Sequence, residues 1–296
     1  MDWTSFLAPI DSYTNLPFRL MCQQYGADAC CVPLVSAYTI AREKSKITMI
    51  DTHADERNVG IQFVGKEPEP MGAAVKEIEG KRNYSWLNLN CGCPSVHTMG
   101  SGGGSALLGQ PDIIVRMVEG LKGNSKLSAK ISVKMRIRNN LDDTLALCRR
   151  IEDAGADFII LHGRTPGQGY SGKADWGLVK SIHEASGIPI VGNGDIKNAA
   201  EGRRYVEEGY CDAYMIGRAA MQNPSCFLDK EPDGKEGRFA LLDEYMELSE
   251  KYLGGVFVKD LKLKAMNFLS NVPSACAYRN KIAKAKTVEE IMELRE

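Results

Sequence analysis

Short runs of apolar and β-branched residues recur along this chain, separated by longer stretches whose apolar positions fall three or four apart. The first pattern suits strands buried on both faces and the second suits amphipathic helices, so their alternation predicts βα units around a parallel sheet. Eight strands are expected, at 5–10, 28–35, 59–64, 86–90, 129–136, 157–162, 188–192 and 212–217. Eight units in about 220 residues fit a (β/α)8 TIM barrel better than an open doubly wound sheet, whose first strand normally runs into a Gly-rich dinucleotide turn. Here the first strand ends in Leu7-Ala8-Pro9-Ile10.

Helix boundaries are legible at two places. Asp142 or Asp143 is expected to cap a helix in which Leu145, Cys148, Ile151 and Ala154 repeat every third position, with Gly155 at its left-handed end. Asn198 and Gly209 bracket another in the same way. After Pro224 the pattern changes: residues 231–237 read as a linker, and 239–296 have helical period with no strand. The expected organisation is a barrel over residues 1–230 and a small helical domain over 238–296.

Polar residues gather where the strands end. In a barrel, the loops after strands seven and eight often hold a phosphate on backbone N–H groups. Here those strands run into Gly192-Asn193-Gly194-Asp195 and Gly217-Arg218, two glycine turns and one guanidinium. Gln62, Asn90, Lys134 and His162 interrupt or close otherwise apolar strands and should point into the barrel mouth, where buried polar groups need partners. Four such groups on four strands suit the ring edge of a flavin, and a lysine there would favour the negative charge of the reduced ring. Asn90-Cys91-Gly92-Cys93-Pro94 closes strand four and opens the Gly-rich stretch 100–108. Cys-x-Cys without a second pair is a weak metal signal, so no metal is expected. A catalytic Cys93 and a structural or secondary Cys91 are the favoured roles, with a buried structural thiol as the alternative.

Taken together, Leu7-Ala-Pro-Ile10, Asn90-x-Gly-Cys-Pro94, Lys134-Met-Arg136, His162-Gly-Arg-Thr165 with Gln168-x-Tyr-Ser-Gly172 and Trp176, Gly192-Asn-Gly-Asp195 and Gly217-Arg218 resemble the tRNA-dihydrouridine synthase family over residues 5–225. The His-Gly-Arg-Thr segment separates this pattern from dihydroorotate dehydrogenases. The resemblance implies FMN at the barrel mouth, reduced by NADPH or NADH, with hydride passing from flavin N5 to C6 of a uracil in tRNA. It places Pro9, Gln62, Lys134 and His162 around the ring and ribityl chain, and Asn193, Gly194, Asp195, Gly217 and Arg218 at the phosphate. Cys93 becomes the proton donor to C5, and Asn90, Arg136 and Tyr170 the candidates to orient the base. Two departures remove positive charge from the RNA-facing loops: Ser95-Val-His-Thr-Met-Gly100 lacks the lysine common after the Cys-Pro pair, and Pro166 replaces a frequent basic residue.

Composition narrows the setting. The chain has 296 residues, 44% hydrophobic and 25% charged, enough for one large core with an appendage. No apolar run is long enough to span a bilayer and the N-terminus lacks a signal-peptide pattern, so a cytoplasmic protein is expected. Nine cysteines without an even framework read as reduced thiols. A net charge of −1 can hide a local basic patch. Lys259, Lys262, Lys264, Arg279, Lys281, Lys284 and Lys286 face only Asp260 between residues 259 and 286. Lys281, Lys284 and Lys286 are the expected RNA contacts, a plain solvated helix face being the alternative. A monomer is expected. Two other functions stay open: reduction of a free pyrimidine or other small enone, or of uridine in ribosomal RNA, and RNA binding by a flavoprotein without catalysis.

Overall fold

A computed structural model describes residues 2–42, 52–79, 84–124 and 128–296. The strands are β1 (Ser5–Leu7), β2 (Cys30–Ser36), β3 (Val59–Val64), β4 (Trp86–Cys91), β5 (Lys130–Arg136), β6 (Phe158–His162), β7 (Ile190–Asn193) and β8 (Ala213–Ile216). All pair in parallel, in the order β1-β8-β7-β6-β5-β4-β3-β2. The ring closes between β1 and β2 through a bridge at Phe6 and Ala29, where the Leu7 amide donates to the Ala29 carbonyl at 2.9 Å. This is the expected (β/α)8 barrel. β1 is shorter than its apolar run suggested because Pro9 has no N–H to donate to a ladder.

Strand parity sorts the side chains. On β4, Trp86, Asn88 and Asn90 point inward, while Leu87, Leu89 and Cys91 join the apolar layer between strands and helices. The barrel floor is aromatic: Trp3, Phe6, Trp86 and Phe158 meet edge-on or tilted at 5.7–6.5 Å between centroids. Gly60 makes room for it, since a Cβ there would lie 2.3 Å from the Trp86 ring. Above this floor, polar side chains such as Lys134, His162 and Asn193 line the mouth together with apolar ones such as Ile10, Trp176 and Met215.

The helix Leu141–Asp153 is capped by Asn140, whose Oδ1 accepts from the Asp143 amide at 2.8 Å. Asp142 and Asp143, expected as caps, instead occupy the first turn, where their charge favours the helix N-terminus. Asn198 caps its helix as expected, and Gly155 and Gly209 adopt positive φ at the helix ends.

The C-terminal segment is helical throughout, with helices Gly234–Leu253, Val258–Phe268, Ala275–Lys284 and Val288–Met292. The first begins inside the stretch read as a linker. One apolar cluster joins Leu7, Phe18 and Ile216 of the barrel to Phe239, Leu242, Phe268 and Ile291 of these helices. Among the basic residues of the segment, Lys264 is fully buried. Its Nζ donates to the Tyr13 carbonyl at 2.6 Å and lies 3.8 Å from the Tyr13 ring centroid, with the Phe18 and Tyr245 rings also around it. Burial pulls its pKa down to about 7. Lys264 is therefore a docking residue between barrel and appendage and cannot contribute to a solvated basic face, whereas Lys281, Lys284 and Lys286 are exposed.

Candidate active site

A cavity of about 930 Å3 opens at the C-terminal ends of the strands, lined by Pro9, Lys134, His162, Asn193, Gly194, Asp195, Gly217 and Arg218 among others. Eight of the nine residues expected to hold a cofactor thus meet in one space. The ninth, Gln62, is 1% exposed and sits beneath the mouth in a hydrogen-bonded chain. In that chain Ser132 Oγ accepts from Asn88, Asn88 accepts from Gln62, and Gln62 accepts from Asn90, at 2.7–2.8 Å each. Asn90 Oδ1 then accepts the amides of Gly92 and Cys93 at 3.1 and 3.0 Å. A fully paired polar ladder of this kind is stiff, and its upper end is the backbone of Cys93.

Cys93 is half-buried, and its Sγ lies 3.5 Å from the Thr98 hydroxyl. Gly104, at φ +60°, lets the chain fold back under it: a Cβ there would sit 2.6 Å from the Cys93 carbonyl and 2.8 Å from Thr98 Cγ2. The Ser105 amide donates to that same carbonyl at 3.0 Å. Cys91 faces the other way, into the apolar layer, where burial raises its thiol pKa far above the usual range. The two thiols are separated by the end of β4 at Cys91, because the turn of the Gly92 and Cys93 amides onto Asn90 Oδ1 takes Cys93 out of the strand's alternation.

The basic side chains of the mouth divide into holders and open groups. Arg136 is 1% exposed, and its guanidinium donates to the carbonyls of Gly92, Thr165 and Gly169 at 2.8–3.1 Å. It therefore ties the Cys93 segment to the loop after β6. Asn90 and Arg136 were expected to orient a base directly, but both side chains are engaged by protein, so any such part runs through the loops they hold. Tyr170 is 62% exposed, with the Arg136 and Arg218 guanidiniums 5.7 and 4.9 Å from its ring centroid. It is an open, cation-backed plate at the rim.

Arg164, quoted within a motif yet given no role by the sequence, is the hub of the phosphate side. It is 2% exposed and donates to the Ser171 and Gly172 carbonyls and, at 2.8 Å, to Asp195 Oδ2. Asp195 Oδ1 accepts from Arg218 at 2.8 Å. Partial burial would raise the Asp195 carboxyl, but the hydrogen bonds from Arg164 and the Ala174 amide, with the charges of both guanidiniums, hold it below 3.8. Asp195 thus anchors Arg218 at the cavity rather than offering a second negative charge to a phosphate. Gly194, at φ +126°, has no room for a side chain, since a Cβ would meet Ala174 at 2.7 Å and the His162 ring at 3.0 Å. Asn88, Ser132 and Arg164 were missed by the sequence reading. The signal for the first two was parity, because polar residues stand at every second position of β4 and β5.

Burial and four nearby cations, Lys134, Arg136, Arg164 and Arg218, lower the His162 pKa to about 2, so its imidazole is neutral. Arg164 Nη1, which can only donate, lies 3.4 Å from His162 Nε2, so Nε2 is the acceptor and the ring proton sits on Nδ1. Lys134 Nζ donates to Asn193 Oδ1 at 3.0 Å. Burial, then Arg136, pull the Lys134 ammonium down to about 8. Among the described residues no three His, Cys, Asp or Glu side chains converge on a metal position, and no helix is long and apolar enough to cross a membrane.

A (β/α)8 barrel with a cationic cavity at its strand ends and a held thiol on its rim is the architecture of a barrel enzyme acting on an anionic ligand. The dihydrouridine synthase family model matches residues 6–295, and the chain belongs to that family. A probable tRNA-dihydrouridine synthase of Aquifex aeolicus is 29% identical over 97% of this chain and 93% of its own length. Another from Rhodobacter capsulatus is 32% identical over 76% of this chain and 69% of its own. Two solved structures share the barrel. The 2-naphthoyl-CoA reductase complex is 10% identical with a TM-score of 0.58 over 75% of this chain, and the histamine dehydrogenase from Rhizobium sp. 4-9 is 12% identical with 0.59 over 83%. The chain spans about half the length of each, 49%.

Proposed function

We propose that this chain reduces uridine to 5,6-dihydrouridine in tRNA, as an FMN enzyme using NADPH or NADH, and that it works as a cytoplasmic monomer. The observation that carries this reading is the position of Cys93, a thiol held by Asn90 and Thr98 near Lys134, which lines a cavity whose donors suit a flavin mononucleotide. When bound and reduced, the flavin supplies the hydride for C6 of the uracil. Arg218 and the backbone turns at Gly194 and Gly217 suit its phosphate, while Lys134, neutral His162 and Asn193 suit its ring and ribityl chain. Pro9 closes the side of the cavity against β1, and Gln62 supports it from below.

As C6 becomes saturated, negative charge develops at C5 and O4 of the uracil. Cys93 delivers the proton to C5, which completes the C5–H bond and leaves the sulfur as thiolate. The thiolate forms near Lys134 and Arg136, both of which sense the Cys93 charge. Tyr170 offers a face for the base, and Arg136 keeps that loop and the Cys93 segment in register. A uridine stacked in RNA reaches this depth only if it is turned out of the helix.

The deciding experiment is to map dihydrouridine in RNA from cells lacking this protein and from cells complemented with it. Loss and restoration of a site in tRNA supports the reading. An unchanged map, or a site lost from ribosomal RNA, defeats it.

The purified protein should be yellow, with one noncovalent FMN per chain. Arg218→Ala should weaken FMN binding about 10- to 100-fold, the order expected for a lost charge-assisted bond to phosphate. Lys134→Ala should weaken it less and alter the spectrum of the reduced flavin. Equilibrium dialysis checks both, and a protein that selects FAD would refute the assignment.

Residues 238–296 are proposed to grip RNA through Lys281, Lys284 and Lys286. Reversing all three to Glu should weaken tRNA binding and lower the slope of log affinity against log salt by roughly one for each phosphate that is no longer neutralised, with flavin content intact. An unchanged slope returns these lysines to a solvated helix face.

A further inference from the structure

A second cavity, of about 480 Å3, lies beside the Cys93 segment and shares no lining residue with the larger one. Asp11, Leu34, Tyr38, Lys66, His97 and Thr98 line it. Thr98 connects the two halves of the mouth, because its hydroxyl is the partner of Cys93 Sγ. The glycines after Cys93 bring its segment against this cavity's wall. A Cβ on Gly102 would come within 3.1 Å of Lys66 Cβ, and one on Gly103 within 2.9 Å of Val64 Cγ2.

Three features give the space its chemistry. Tyr38 is 51% exposed, and the Arg42 guanidinium sits 4.4 Å from its ring centroid, which holds an aromatic plate at the surface. Lys66 pairs with Glu67 at 3.7 Å with both side chains largely exposed, a contact worth little, so its ammonium is free to exchange that partner for a phosphate. Exposed His97 adds a second nitrogen donor on the Cys93 side, and Asp11 an acceptor for a base N–H.

We propose that this cavity seats the ribonucleotide next to the uridine being reduced, with its base stacked on Tyr38 and its phosphate near Lys66 and His97. The inference rests on the RNA-uridine reading above. A uridine turned out of its helix deprives its neighbour of a stacking partner, and an aromatic plate in the adjoining cavity replaces it for any base. The same contact adds affinity on the Cys93 side of the mouth, because Thr98 belongs to both the wall of this cavity and the environment of the thiol.

The test uses the FMN-loaded, prereduced protein and tRNA that lacks dihydrouridine. Tyr38→Ala should raise the tRNA concentration needed for half-maximal flavin reoxidation about 10- to 100-fold, the loss expected for one base–aromatic stack, and leave the limiting rate unchanged. Tyr38→Trp should restore it, and the added indole fluorescence should be quenched by tRNA even with the flavin oxidised. Reduction by NADPH should be the same in all three proteins. If Tyr38→Ala is saturated by tRNA as wild type is, the subsite is wrong while the parent reading stands. Slower reduction by NADPH with normal reoxidation would also overturn it, since the cavity then serves the nicotinamide dinucleotide. If tRNA fails to reoxidise even the wild-type flavin, the parent reading falls and this one with it.

Discussion

Cys93→Ala should retain FMN and its reduction by NADPH, yet reoxidation by tRNA should slow by roughly 10²–10⁴, the range for a lost general acid. The separation of the two half-reactions follows from the site. The groups placed for the flavin are Lys134, His162, Asn193 and Arg218, none of which hydrogen-bonds Cys93, and the thiol's partner is Thr98. Cys91→Ala should change neither half-reaction by a comparable factor, because its side chain lies in the apolar layer outside the barrel. Paired anaerobic single-turnover assays decide the matter. Normal reoxidation in Cys93→Ala together with slow reoxidation in Cys91→Ala would exchange the two roles, and normal reoxidation in both would place the acid elsewhere.

The largest effect on the fold is expected from Asp195→Ala. Arg164 is 2% exposed and, among the described residues, its ion pair is with Asp195; removing the carboxylate leaves a buried charge facing the Ser171 and Gly172 carbonyls. Breaking such a pair costs about 3 kcal/mol at most, given that the Asp195 side chain is a third exposed, which lowers the melting temperature of a chain this long by up to roughly 5 °C. Because the carboxyl is held below its ordinary 3.8, its contribution is fully present above that value and disappears as pH falls through the lower, folded-state pKa. The difference in stability between wild type and Asp195→Ala should therefore be constant near neutrality and shrink below about pH 4. Added FMN should stabilise the variant more than the wild type, since a phosphate beside Arg218 takes over part of the missing negative charge. Scanning calorimetry with and without FMN across pH tests this, and equal melting temperatures for the two proteins would remove Asp195 from its central place.

The barrel was legible because each βα unit carries its own period and caps, and those are local properties of the chain. So was the gathering of Lys134, His162, Asn193, Gly194, Gly217 and Arg218, since residues at the C-terminal ends of parallel strands meet at one rim in this topology. The sequence by itself could also have set Asn88 and Ser132 alongside Asn90 and Lys134 by strand parity, whereas Cys91 and Cys93 share a parity and are parted only by the turn that ends β4. What only the tertiary structure decided is which polar group answers which. Asp195 lies between Arg164 and Arg218, from two different loops, and nothing local distinguishes a carboxylate that neutralises guanidiniums from one that meets a ligand. Arg136 reaches three carbonyls on two loops, so its apparent freedom to bind a base existed only while those loops had no positions. Lys264 sits in a basic stretch and reads as solvated, yet the docking of its helix on the barrel buries it against Tyr13, Phe18 and Tyr245. Periodicity records which face of an element is apolar; the partner across that face is chosen by packing between segments distant in the chain, and with it the charge state and availability of every group at the contact.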